Sequence, residues 1–146
     1  MYEAGWHFAI ASNQGGVAAG RKSLAQAIAE MRFCLSLLPV PVDEAFFCPD
    51  YAGEECFMVT RDEAHPVIVP IFSPPYKICI LDGLKDDVIG QCRKPKPGML
   101  LMAKRYACQS IFVGDRPEDY DAAVATHVPF ISAEDWRENP IRGVLV

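Results

Sequence analysis

The sequence has no C-x-x-C pair, no long uninterrupted apolar run and no excess of basic residues, and each absence removes a class of function. Its six cysteines, Cys34, Cys48, Cys56, Cys79, Cys92 and Cys108, are too sparse for a disulfide scaffold and lie mostly within apolar segments. They are expected to be reduced and buried as small hydrophobes. Pro39, Pro41, Pro66, Pro70, Pro74 and Pro75 interrupt every apolar stretch before it reaches the roughly 20 residues of a membrane-spanning helix, so no membrane partner is expected. Met1 to Trp6 lack the basic start and apolar stretch of a secretory signal, which makes the cytoplasm the expected location. A net charge of −5 argues against a broad nucleic-acid surface, while a small basic pocket stays compatible with it. The three histidines, His7, His65 and His127, fit no ligand pattern.

What is present is the balance of a folded domain. With 51% hydrophobic and 23% charged residues, a chain of 146 residues can bury one core but not two, so residues 1–146 are expected to form a single domain. Phe8-Ala9-Ile10-Ala11 reads as a buried strand that runs into Ser12-Asn13-Gln14-Gly15-Gly16. Ser23-Leu24-Ala25-Gln26 has the form of a capping box, and Leu24, Ile28, Met31, Leu35 and Leu38 recur at helical spacing until Pro39. A helix over residues 23–38 followed by a strand at Ala45-Phe46-Phe47-Cys48 makes a parallel crossover unit. Between residues 49 and 91, Phe57-Met58-Val59-Thr60, Val67-Ile68-Val69 and Ile78-Cys79-Ile80-Leu81 are short apolar runs that fit short hairpin strands or an inserted β-rich flap. The alternation then resumes: a helix from Pro97-Gly98 through Tyr106, a strand at Ser110-Ile111-Phe112-Val113, a helix opened by Pro117, and a last strand at Val128-Pro129-Phe130-Ile131. The fold class is α/β.

In an open parallel sheet, ligands bind beyond the carboxyl ends of the strands, which singles out three segments. Ser12 and Asn13, followed by Gln14-Gly15-Gly16, offer a hydroxyl, an amide and exposed backbone N–H groups to an anion; the plain alternative is a turn. Cys92-Arg93-Lys94-Pro95-Lys96-Pro97-Gly98 gathers three cations just before a helix in an otherwise acidic chain, where a fixed ammonium can neutralise a phosphoryl group; the alternative is a solvated basic turn, the expected role of Lys96. Val113-Gly114-Asp115-Arg116-Pro117-Glu118-Asp119 brings Asp115 to a strand end and Asp119 onto the next helical turn. Such a carboxylate pair suits Mg²⁺, against an alternative of helix capping.

The three segments in this order, Ser12 to Gly20, Cys92 to Leu100 and Val113 to Ala123, resemble the haloacid dehalogenase-like (HAD) phosphohydrolases. The likeness is to the small-capped branch that holds histidinol-phosphate, heptose-bisphosphate and polynucleotide 3′-phosphatases. The resemblance implies a Rossmannoid parallel sheet with flanking helices and Mg²⁺-dependent hydrolysis of a phosphate monoester. A sugar phosphate, a nucleotide or a polynucleotide end would be the partner. It assigns Ser12, with Asn13 beside it, to phosphate binding, Lys94 to phosphate neutralisation, Arg93 to a substrate contact, and Asp115 with Asp119 to the metal.

The family also carries a D-x-D pair on its first, central strand, which supplies the nucleophile and the general acid/base. No such pair precedes Phe8, so the expected domain is incomplete and lacks its nucleophile. Asp119-Tyr120-Asp121 has the letters, but on a helix where the two side chains point to different faces. Asp82 ends an apolar run without a second acid. A zinc loop like that of some branch members would keep Cys48 and Cys92, with Cys56 as a third ligand, but Asp50 and Gly90 stand where a His and a Cys would be. The rival reading is a non-catalytic phosphate-binding module or the remnant of a split gene. Without the central strand, the strands at Phe8 and Ser110 would face a gap; it would be closed by direct pairing, by a segment such as Ile78-Cys79-Ile80-Leu81, or by a second copy, with a homo-oligomer the expected outcome.

Overall fold

A computed structural model describes residues 5–39, 42, 44–61, 64–68, 90–104 and 109–139. β1 (Ala9–Asn13) leads into a single helical turn, α1 (Gly15–Ala18), and then into α2 (Leu24–Leu37). Ser23 caps α2 as the sequence predicts: its hydroxyl accepts the Gln26 N–H and the Gln26 side chain accepts the Ser23 N–H. The chain returns as β2 (Glu44–Cys48), parallel to β1 with Ala9 opposite Glu44 and Asn13 opposite Cys48.

β2 is the spine of the core. Four of its five residues are buried, and alternate side chains go to opposite faces. Ala45 and Phe47 pack with Ala27, Met31 and Leu35 of α2, while Phe46 and Cys48 pack with Met99, Leu100, Ala122 and Ala123. Phe47 also stacks on Phe57 at 5.3 Å between ring centroids.

β3 (Cys56–Val59) and β4 (Ala64–Ile68) form the antiparallel hairpin expected in the 49–91 segment, but as part of the main sheet, whose order is β1-β2-β3-β4. The expectation of a separate flap is thus corrected for these strands, because Cys56 and Val59 are fully buried in the two core clusters. The run Ile78-Cys79-Ile80-Leu81, Asp82 and Cys108 lie outside the described residues.

α3 (Gly98–Lys104), β5 (Phe112–Gly114), α4 (Pro117–Ala125), β6 (Phe130–Ser132) and α5 (Ala133–Glu138) complete the described chain. β5 and β6 pair in parallel as a second sheet of two strands. β5 begins at Phe112, opposite Phe130, and not at Ser110. Among the described residues β1 and β5 do not ladder to each other, so direct pairing is not how the chain treats these two edges.

The cysteines depart from expectation. Cys56 and Cys92 form a disulfide that ties β3 to the segment before α3, and Cys34 is exposed on α2. Of the described cysteines, Cys48 alone is buried as a free thiol. No described helix is long and apolar enough to cross a membrane.

Candidate functional site

β1, β5 and the helix after β5 converge on one side chain. Lys94 is 8% exposed, and its ammonium donates to the Ala11 carbonyl at 2.7 Å, lies 2.5 Å from Asp119 Oδ1 and sits 5.4 Å from the centre of the Phe112 ring. A cation from the loop before α3 therefore bridges a strand of the first sheet and the helix that follows a strand of the second. Asp119, 4% exposed, is the other half of the bridge: its Oδ2 accepts the N–H groups of Asp115 and Arg116, both at 3.1 Å.

Gly114 makes that approach possible, since a Cβ there would lie 2.7 Å from Asp119 Oδ2. Both Asp119 oxygens are engaged in this geometry: Oδ2 accepts the N–H of Arg116 at the start of α4, as the capping alternative requires, and Oδ1 pairs with Lys94. Asp115, at the end of β5, is exposed. No group of three or more His, Cys, Asp or Glu placed to hold a metal is found among the described residues.

The loop that carries Lys94 is set before any ligand arrives. The Gly98 N–H donates to the Gln91 carbonyl at 2.8 Å, an approach so close that a Cβ on Gly98 would lie 2.6 Å from that oxygen. Asn13 holds the loop to β1 with both ends of its amide: Nδ2 donates to the Lys94 carbonyl at 2.9 Å and Oδ1 accepts the Lys94 N–H at 3.0 Å. Asn13 therefore positions the lysine. Ser12, one residue earlier, accepts from Gln14 Nε2 at 3.0 Å, which leaves its own O–H to donate. Lys96, expected to be a solvated cation, is exposed yet donates to the carbonyls of Ala52 and Gly90.

Arg93 lies at the same mouth, donating to the Asp50 carbonyl at 3.2 Å with its guanidinium carbon 5.1 Å from the centre of the Tyr51 ring. Asp50 organises this wall, a role the sequence reading missed. Its carboxylate accepts N–H groups of Gly53 at 2.5 Å, Glu54 at 3.2 Å and Glu55 at 2.7 Å, and Gly53 in turn accepts the Cys92 N–H through its carbonyl. The Asp-x-x-Gly spacing is the signal that could have revealed it. Burial acts to raise the Asp50 pKa, but the three backbone donors outweigh it and hold the carboxyl below its ordinary value. Cys48, buried beside Asp50, is pushed up to about 12 by desolvation and then by the Asp50 charge, so it is a neutral thiol at pH 7. With Cys56 and Cys92 joined, the three-cysteine zinc set is not available.

All six residues singled out from sequence, Ser12, Asn13, Arg93, Lys94, Asp115 and Asp119, line one cavity of about 790 Å³. Residues 6–13 and 111–116 make up most of its lining, with Trp136 also contributing.

Two consequences are measurable. Because the folded Asp50 carboxyl titrates below its unfolded value of about 3.9, its contribution to stability is complete above that pH and is lost as the pH falls through the lower, folded value. The stability gap between the native chain and Asp50→Asn, followed by thermal unfolding, should narrow below about pH 4; a gap constant from pH 7 to pH 2.5 would contradict the assignment. Lys94→Met leaves the Asp119 carboxylate buried and unpaired, with an expected cost of about 3–5 kcal/mol in urea unfolding. Adding Asp119→Asn removes the charge while keeping an acceptor for Asp115 and Arg116, so the double variant should be more stable than Lys94→Met alone.

Comparison with known proteins agrees with the motif reading. Over 133 residues the chain is 32% identical to the D-glycero-beta-D-manno-heptose-1,7-bisphosphate 7-phosphatases of Escherichia coli strains K12 and O157:H7 and of Shigella flexneri, matching 85% of this chain and 54% of each relative. The chain thus spans about half the length of the curated relatives it matches. No family model and no solved structure matches it.

Proposed function

We propose that the chain is the anion-binding part of a HAD-type phosphohydrolase that acts on a phosphate monoester, with a sugar phosphate favoured over a nucleotide or polynucleotide end. The observation that carries this reading is the Lys94 junction. A buried cation, preset by Asn13 and Asp119, joins β1 to the helix after β5, with the Ser12 hydroxyl and Arg93 lining the same cavity. The similarity to sugar-bisphosphate phosphatases supports the choice of substrate class.

In this reading the Ser12 hydroxyl and the Arg93 guanidinium donate to phosphoryl oxygens, while Lys94 offsets their charge and Asn13 keeps its ammonium in place. Asp115 fits Mg²⁺ as an exposed oxygen donor whose remaining coordination is water, with Asp119 behind it. When bound there, Mg²⁺ would supply further neutralisation of the phosphoryl charge. In HAD-type chemistry the phosphoryl group passes to an aspartate and then to water, and in this reading that aspartate is not among the six residues assigned to the site.

The experiment pairs calorimetry with turnover. Inorganic phosphate should bind the chain and bind at least tenfold more weakly to Arg93→Ala. Hydrolysis of p-nitrophenyl phosphate with Mg²⁺ should not exceed the buffer rate. Absence of phosphate binding would sink the reading. Mg²⁺-dependent turnover that disappears in Asp82→Asn would instead place a nucleophile within this chain.

A further inference from the structure

We propose that Tyr51 is the platform for the leaving group of the phosphate ester, a hydroxylated sugar ring that stacks on its exposed face while the phosphoryl group sits at Ser12, Arg93 and Lys94. The inference rests on the phosphohydrolase reading and extends it from the anion to the rest of the substrate. Tyr51 is 62% exposed and does not line the cavity; Arg93, which does, lies over one face of its ring. The ring edge also reaches α1, since a Cβ on Gly15 would lie 3.3 Å from Tyr51 Cε1 and 3.3 Å from Arg93 Nη2. Tyr51, Arg93 and Gly15 therefore form one rim, where the chain leaves β1 and β2.

The rim is built before any substrate arrives. The backbone on each side of Tyr51 is tied to the loop that carries Lys94: the Asp50 carbonyl accepts from Arg93 Nη1 at 3.2 Å, and the Ala52 carbonyl accepts from Lys96 Nζ at 2.9 Å. From the other direction the Ala18 N–H, in α1, donates to the Pro49 carbonyl at 3.1 Å. The Asp50 carboxylate closes the turn by accepting the N–H groups of residues 53–55. A ring seated in this way offers contact area at little further cost in side-chain freedom, which is what makes an accessible tyrosine effective in recognition.

Position and chemistry select the occupant. A phosphoryl oxygen held by Arg93 stands about 2.8 Å from a guanidinium nitrogen. The guanidinium carbon is itself 5.1 Å from the centre of the Tyr51 ring, so the alcohol part of an ester leaves the anion site past Arg93 and within reach of that ring. With Arg93 on one face, the other face is left for a ligand, and the same turn carries the exposed acids Glu54 and Glu55. An aromatic face meets the C–H groups of a sugar ring, and carboxylates accept from its hydroxyls. A flat base would use the face alone; a hydroxylated ring uses both.

The test measures binding to the intact chain by calorimetry, with inorganic phosphate, glycerol 3-phosphate, glucose 6-phosphate and adenosine 5′-monophosphate as probes. Glucose 6-phosphate should bind at least fivefold more tightly than glycerol 3-phosphate, which presents the same anion on an alcohol without a ring. That preference should disappear in Tyr51→Ala and persist in Tyr51→Phe. Equal affinity for the two esters in the native chain, with phosphate bound, would overturn the platform and leave the anion site standing. Absence of phosphate binding would instead remove the anion site, and the platform with it. If Tyr51→Ala weakens both esters in proportion and keeps the preference, Tyr51 only positions Arg93 and the proposal is wrong. If adenosine 5′-monophosphate loses more affinity than glucose 6-phosphate in Tyr51→Ala, the ring serves a base and the sugar assignment falls.

Discussion

The ion pair between Lys94 and Asp119 is the constraint on which the rest of this arrangement depends. Two buried charges taken from water are tolerated only when their geometry is good and their remaining valences are met. Here the Ala11 carbonyl meets the ammonium and two backbone N–H groups meet the carboxylate. These partners come from β1, from the loop before α3 and from the start of α4, so satisfying one pair fixes three segments that are far apart in sequence. The need to pair the charges explains why Gly114 has no side chain and why Asn13 spends its whole amide on the Lys94 backbone.

From that joint the electrostatics of the site follow. The chain is acidic as a whole, yet the mouth of the cavity presents Arg93 and the edge of the Lys94 loop, held by carbonyl oxygens and an aromatic ring. A fixed cation of this kind has little reorganisation left to undergo when an anion arrives, which is where positional charge gains its effect. Asp50 serves the same end at one remove. It collects the N–H groups of residues 53–55 and sets Gly53 against Cys92, one residue before Arg93.

Most of the elements were legible because they are local. The capping box at Ser23, the helical spacing of Met31 and Leu35, and Pro117 at the first turn of α4 are short-range signals, and the structure follows them. Ser12, Asn13 and Asp115 were legible because each follows an apolar run, and Arg93 and Lys94 because they gather positive charge just before a helix in an acidic chain. What was not legible depends on contacts between distant segments. The Cys56–Cys92 bond spans 36 positions, and the recruitment of β3 and β4 into the main sheet depends on the burial of Cys56 and Val59 against β2. Asn13 has the chemistry of an anion ligand, and only the approach of residue 94 turns it into a clamp. Asp119 was read as a metal ligand because its spacing from Asp115 suits one; its ion pair with Lys94, a residue distant in sequence, was not legible.

The central claim is that the ends of β1 and of the Lys94 loop form one preset anion site. Chemical-shift mapping of the isotope-labelled chain during titration with inorganic phosphate tests it directly. The account predicts that the largest saturable shifts fall on the backbone amides of Ser12, Asn13, Arg93 and Lys94, and that they vanish in Arg93→Ala while the rest of the spectrum is unchanged. Shifts centred elsewhere, with these four amides unmoved, would contradict it.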